Sequence, residues 1–166
     1  MPHMSMNSFW IVVALLLLNL GVPYADAVIV SGHARIIDGD TISINGINVR
    51  LYGIDAPETG QACQRRNGMS YLCGRVALNA LREFIGDQYV TCEYEEIDAY
   101  DRLIGTCWSG QQEINRVMVR DGHAMAYVKY SDKYVPEEKA AQLIAVGIWQ
   151  GEFEPPWEHG LDAGKQ

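Results

Sequence analysis

DGDTISINGINVRLYGIDAPE, residues Asp38–Glu58, decides how this chain is read. Two short apolar runs, Thr41–Ile44 and Ile47–Leu51, flank Asn45-Gly46. Asn-Gly between β-branched runs predicts a hairpin, because both turn residues must accept positive φ. Around it stand Asp40 ahead of the first strand, Arg50 late in the second, then Asp55 and Glu58. Folding the hairpin brings its two ends together, and the two aspartates with them. Two carboxylates beside an arginine and a glutamate suit phosphodiester chemistry. Hard oxygen ligands hold Ca²⁺ or Mg²⁺, and a planar guanidinium clamps a phosphate. Taken singly, the same residues have plainer readings. Asp-Gly-Asp is ordinary turn chemistry, Asp-Ala-Pro-Glu can leave a strand and cap a loop, and Arg50 can pair with a neighbouring carboxylate.

Outward toward the N-terminus, Phe9–Leu20 is apolar except for Asn19, and Gly21-Val22-Pro23 and Ala25-Asp26-Ala27 follow. This predicts a signal peptide over residues 1–27, cleaved after Ala27. The n-region holds neither Lys nor Arg, and an uncleaved anchor is the alternative to export. Export implies a secreted or periplasmic protein without stable membrane association once the leader is removed. All four cysteines, Cys63, Cys73, Cys92 and Cys107, follow that point. An even count in an exported chain predicts disulfides, with three possible pairings. Cys63–Cys73 and Cys92–Cys107 are favoured, because Tyr89–Glu95 and Leu103–Trp108 read as consecutive antiparallel strands that set Cys92 opposite Cys107. No Cys-x-x-Cys or close His pair supports zinc instead.

The chain carries 13 Lys and Arg against 21 Asp and Glu, a formal charge of −8. That balance excludes a broad basic surface of the kind DNA-packaging proteins use. A local positive site built from Arg50, Arg65, Arg66, Arg75 or Arg102 is compatible with it.

The 166 residues suffice for one domain. Val28–Ile37 reads as a first strand bent near Gly32, making a three-stranded meander with the hairpin. Gly53–Leu72 reads as a long loop pinned by a disulfide. Gly74–Ile85 places Val76, Leu78, Leu81 and Phe84 on one helical face, and Gly86 ends it. The second hairpin turns at Asp98–Arg102. Ile114–Arg120 reads as a helix capped by Gly122 and Ala124–Tyr130 as extended. Pro136–Val146 reads as a last helix burying Ala140, Leu143 and Ile144. Gly151–Gln166 reads as a loose tail. Five strands with about three helices predict a small α+β domain over residues 28–150, the tail being 151–166.

DGDT, then VRLYGIDAPE, then DAYDR, in this order, resembles the staphylococcal-nuclease-like (thermonuclease) family from Val28 to Trp149. The resemblance implies a five-stranded OB-fold barrel, a fold strand count alone does not select. It also implies a calcium-dependent enzyme that hydrolyses DNA and RNA with low sequence specificity, a monomer leaving 3′-phosphate ends. Carried over by motif, Asp40 and Asp55 are its calcium ligands, together with the backbone carbonyl of Ala56. Glu58 is the base that orients or deprotonates water, and Arg50 and Arg102 are its catalytic arginines. Such a set is chemically coherent, since guanidinium groups stay charged and stabilise the extra negative charge of a phosphoryl transition state.

Two departures stand out, one of them the Gly60–Gly74 loop with its cysteine pair, which differs from the short lysine-rich loop of the best-known members. The family turn often reads Asp-Lys/Arg-Tyr-Gly-Arg, whereas Ala99 here replaces the cation and Asp101 the glycine, an exchange expected to weaken phosphate binding or to engage Arg102. The family also stacks a base on tyrosines after the second helix, for which Tyr127, Tyr130 and Tyr134 compete. The alternative function is a catalytically inactive nuclease-like OB module that binds nucleic acid or protein. A disulfide-stapled structural protein is a third class.

Overall fold

The computed structural model describes residues 28–163, so the expected leader lies outside the described residues. The chain begins with β1 (Val28–Ile36), β2 (Thr41–Ile44) and β3 (Ile47–Leu51). Asn45 and Gly46 have φ of 53° and 84°, the paired positive values that the tight turn between β2 and β3 demands. β1 pairs with β7 (Tyr89–Ile97) through His33 and with β2 from Ala34 onward. The partner changes just after Gly32, where a Cβ would lie 2.9 Å from Ile44 Cγ2. β7 continues antiparallel into β8 (Leu103–Ser109), and β8 returns to β3 in parallel, with Val49 opposite Leu103. That last pairing closes a five-stranded barrel in the order β3-β2-β1-β7-β8.

The barrel interior takes Ile42, Ile44, Val49, Leu51, Val90, Cys92 and Cys107 from alternate strand positions. Leu81 and Ile85 of α1 (Cys73–Ile85) and Ile114 and Met118 of α2 (Ile114–Arg120) complete this core. Both expected disulfides are present, Cys63–Cys73 and Cys92–Cys107. Cys92 stands directly opposite Cys107 in the β7–β8 register, as their strand positions predict.

Four expectations need correction. Gly53–Leu72 is not a bare loop. It holds β4 (Ile54–Asp55) and the hairpin β5 (Ala62–Arg65)–β6 (Ser70–Leu72), and a disulfide joins Cys63 of β5 to the first residue of α1. Within Ala124–Tyr130 only β10 (Met125–Ala126) is extended, pairing with β4, and the backbone then turns back through Tyr130 N–H to Tyr127 C=O at 2.9 Å. The last helix expected before the tail, α3 (Val135–Ile144), buries Ala141 but leaves Leu143 and Ile144 86% and 67% exposed. It ends at Ala145 in the left-handed conformation, φ of 52°. The supposed loose tail forms β11 (Gly151–Glu152), paired with β5, and α4 (Pro156–Ala163). A small second core of Cys63, Cys73 and Ile148 beneath Trp149 and Phe153 explains this order.

Candidate active site

Asp40 ends the turn ahead of β2 and is 3% exposed. Its N–H donates to Asp38 Oδ1 at 3.0 Å, and its C=O accepts from Leu51 N–H at 2.8 Å at the far end of β3. Arg50 stands opposite Thr41 in the hairpin, and this register carries the guanidinium to the neighbouring Asp40. Arg50 Nη1 donates to Asp40 Oδ1 at 2.6 Å, while Nη2 donates to Asp55 Oδ1. Asp40 Oδ2 accepts from Ala56 N–H at 2.8 Å, and Thr41 Oγ1 donates to Oδ1 at 3.1 Å. Asp40, Arg50, Asp55 and the Ala56 backbone therefore meet at one end of the barrel. The ion-pair reading of Arg50 and the phosphate-clamp reading describe the same guanidinium at this point.

Burial pushes Asp40 up to about 7, against the opposing pull of Arg50. Asp55 is raised by burial too, again against Arg50. One guanidinium between two carboxylates leaves the centre short of positive charge when both are ionised, and Asp38 adds a further negative field. Hard oxygen donors with excess negative charge fit a hard divalent cation. Among the described residues no three His, Cys, Asp or Glu side chains gather as a metal cluster. Two carboxylates are what side chains offer here, and further ligands would have to be carbonyl, water or substrate oxygens.

Glu58 follows the buried Pro57 and is exposed, and among the described residues its carboxylate has no hydrogen-bond partner. Partial burial, then the Asp38 and Asp55 carboxylates, hold it above the ordinary glutamate value. Its backbone is tightly fixed. Gln61 N–H donates to Glu58 C=O at 2.7 Å, and Glu58 N–H donates to Gln61 Oε1 at 3.1 Å. Gly74, the second residue of α1, abuts this turn so closely that a Cβ there would sit 1.6 Å from Glu58 O.

Arg102 immediately precedes β8. Because Arg50 lies opposite Ile104 and strand side chains alternate faces, Arg102 shares the outer face with Arg50. Of the two alternatives, engagement by Asp101 is not seen. Nε of Arg102 donates to Asp98 Oδ2 at 2.8 Å, and Nη2 lies 2.7 Å from the same oxygen. Asp101 instead adopts φ of 59°, the left-handed geometry that glycine accepts most easily.

The three tyrosines separate clearly. Tyr134 is fully buried, donating its hydroxyl to Glu113 Oε1 at 2.5 Å, so it belongs to the core. Tyr127 is half-buried with Trp157 of α4 stacked on it, centroids 5.4 Å apart and planes 3° from parallel. Tyr130 is exposed beside it. Trp157 is thus half-buried rather than free in a tail.

Sequence reasoning passed over three residues of this region. Asp38 caps Asp40, Gln61 closes the Glu58 turn, and Asn115 is wholly buried. Asn115 ties Cys107 N–H to the carbonyls of Tyr52 and Gly105 through its side-chain amide. A polar residue at the start of an apolar helix was the available signal for Asn115. Gln61 carries none, lying in a polar stretch without periodicity.

A family model described as staphylococcal nuclease homologue matches residues 48–151, more than half of the chain. The chain is 34% identical over 142 residues to a micrococcal nuclease of Shigella flexneri, covering 75% of this chain and 76% of that protein. It is 33% identical over 127 residues to a thermonuclease of Staphylococcus intermedius, covering 70% and 73%. It is also 33% identical over 153 residues to the succinoglycan biosynthesis protein ExoI of Rhizobium meliloti, covering 90% and 79%. A closed five-stranded barrel, a hairpin that joins two aspartates through an arginine, and relatives of this kind agree: the chain belongs to the staphylococcal nuclease family.

Proposed function

We propose that this protein is an exported, calcium-dependent nuclease hydrolysing phosphodiester bonds of DNA and RNA with low sequence specificity. The observation that carries the reading is the meeting of Asp40, Arg50 and Asp55 beside the turn that bears Glu58. Asp40, Asp55 and the Ala56 carbonyl would hold Ca²⁺, which when bound supplies charge neutralisation at a phosphate oxygen. Glu58, whose side chain has no competing partner among the described residues and whose carboxyl is raised by burial and the Asp38 and Asp55 charges, takes the proton from the attacking water. Arg50 faces the carboxylates with both terminal nitrogens and is the nearer cation for the scissile phosphate. Arg102 shares its face of β8 and adds the second positive charge.

The two disulfides favour export, since they persist in oxidising compartments. No helix among the described residues is long and apolar enough to cross a membrane. A monomer acting directly on nucleic acid is the simplest working form.

One observation favours the second reading, a catalytically inactive OB module. Both Arg50 and Arg102 already pair with the protein's own carboxylates. Digestion of single-stranded DNA with Ca²⁺, with Mg²⁺ and with chelator, alongside Glu58→Gln, separates the two. Cleavage that requires Ca²⁺ and falls by orders of magnitude, to a measurable residual level, in Glu58→Gln supports the nuclease. A folded, oxidised protein that cleaves under no condition but retards DNA in a gel is the binding module.

A further inference from the structure

We infer that Gln61 is a positioning residue for Glu58, holding its turn between the start of α1 and the C-terminal segment; this rests on the reading of Glu58 as the base. Gln61 is 1% exposed in a stretch whose neighbours Gly60, Ala62 and Gln64 all face solvent. Burying an amide is costly unless its polar atoms are bonded, and both atoms of this one are used. Oε1 accepts from Glu58 N–H at 3.1 Å, and Nε2 donates to Glu154 C=O at 2.7 Å. One side chain thus joins the Glu58 turn to a residue 93 positions later.

Each end of this bridge is anchored. On one side, Gly74 N–H approaches Gln61 C=O at 3.4 Å, and the Gly74 Cα leaves the Glu58 carbonyl no slack. On the other, Glu154 lies between β11, paired with β5, and α4, whose Trp157 stacks on Tyr127. Tyr127 N–H in turn donates to Gly53 C=O at 2.9 Å, two residues before Asp55. The C-terminal segment therefore spans from the Glu58 turn to the strand carrying Asp55. With no hydrogen bond on the Glu58 carboxylate itself among the described residues, its place relative to Asp40 and Asp55 is set by this backbone frame.

The test is a double-mutant cycle in the full-length oxidised protein, read as single-turnover cleavage of a single-stranded DNA oligonucleotide with Ca²⁺. Gln61→Leu should lower kcat by about 10- to 100-fold, as misplacing a catalytic group by an ångström does, while KM changes little. In a Glu58→Gln background the same substitution should have almost no further effect, because the group it positions is already disabled. Gln61→Asn keeps the amide but is too short to reach both partners, and covers the case in which Leu unfolds the protein. Its expected loss is smaller, about 3- to 10-fold, and again confined to the Glu58 background. Equal losses in both backgrounds, or none in either, overturn the positioning role and leave the nuclease reading standing. Full activity of Glu58→Gln overturns both.

Discussion

Arg102 is held by Asp98, four residues earlier across the turn between β7 and β8, and not by the adjacent Asp101. Asp98 also accepts the N–H groups of Tyr100 and Arg102 on Oδ1, at 2.9 and 3.0 Å. Burial pushes this carboxyl up, but the two backbone donors and the guanidinium outweigh it and hold it below its ordinary value. A depressed carboxyl contributes stability above its unfolded value of 3.8 that is lost as pH falls through the folded one. Asp98→Asn should therefore unfold at lower denaturant than wild type at neutral pH, by about 1 kcal/mol. The gap should close in acid below 3.8. Urea midpoints at two pH values check this, and a gap independent of pH would refute it.

Arg50 should matter to folding as well as to turnover. Replacing it with Gln leaves Asp40 and Asp55 buried without their cation, at an expected cost of about 3 kcal/mol at neutral pH. Both carboxyls are raised by burial even with Arg50 present and rise further without it. An acid raised in the folded state binds more protons than the unfolded chain, so the deficit grows as pH climbs from 3.8 and shrinks toward acid. Melting curves across this range, with and without Ca²⁺, follow the effect. Recovery by added Ca²⁺ at neutral pH is the expected sign of metal binding.

Apparent Ca²⁺ affinity of the wild type should rise with pH through about 7, because a proton on Asp40 competes with the ion. Calorimetric titration at three pH values reads this directly. A flat profile would remove Asp40 from the ligand set.

Restoring a cation beside Arg102 should strengthen substrate capture. Ala99 is exposed at the turn, and Ala99→Lys adds one positive charge to a chain of formal charge −8. KM for DNA is expected to fall by about threefold at low salt, the gain fading as salt screens the added charge. A gain that survives high salt would point to a different cause.

The two disulfides should separate stability from turnover. Replacing Cys92 and Cys107 with Ala removes a cross-strand link inside the barrel wall, costing about 3 kcal/mol with kcat unchanged while the protein stays folded. Replacing Cys63 and Cys73 releases the residue just before Gly74, against which the Glu58 turn is seated. That variant should lose kcat several-fold at temperatures well below its melting point. Equal kcat in both variants would dismiss the connection.

Much of this was legible in the chain. Asn45-Gly46 set the hairpin register, and the register carried Arg50 to Asp40, because strand pairing is a local consequence of turn chemistry. Tyr89–Glu95 and Leu103–Trp108 around the Asp98–Arg102 turn read as the second hairpin in the same way, and that pairing set Cys92 opposite Cys107. The failures share a cause. β11, α4 and the placement of Gln61 depend on contacts such as Gln61–Glu154 that no local pattern encodes. The exposed Leu143 and Ile144 show the converse, a helical apolar pattern to which the described residues supply no partner. Asp98 outcompeted Asp101 because the turn itself, with Asp101 at positive φ, presents Arg102 to the earlier carboxylate.

The parallel pairing of β3 with β8 has a consequence for how the molecule comes into being. Val49 finds Leu103 only after the four intervening strands and α1 exist, and the Glu58 turn waits longer still, for Glu154. Contacts so distant along the chain form slowly and late. The barrel can therefore close before the Glu58 turn is fixed, and ordering of that turn is expected to lag behind ordering of the strands.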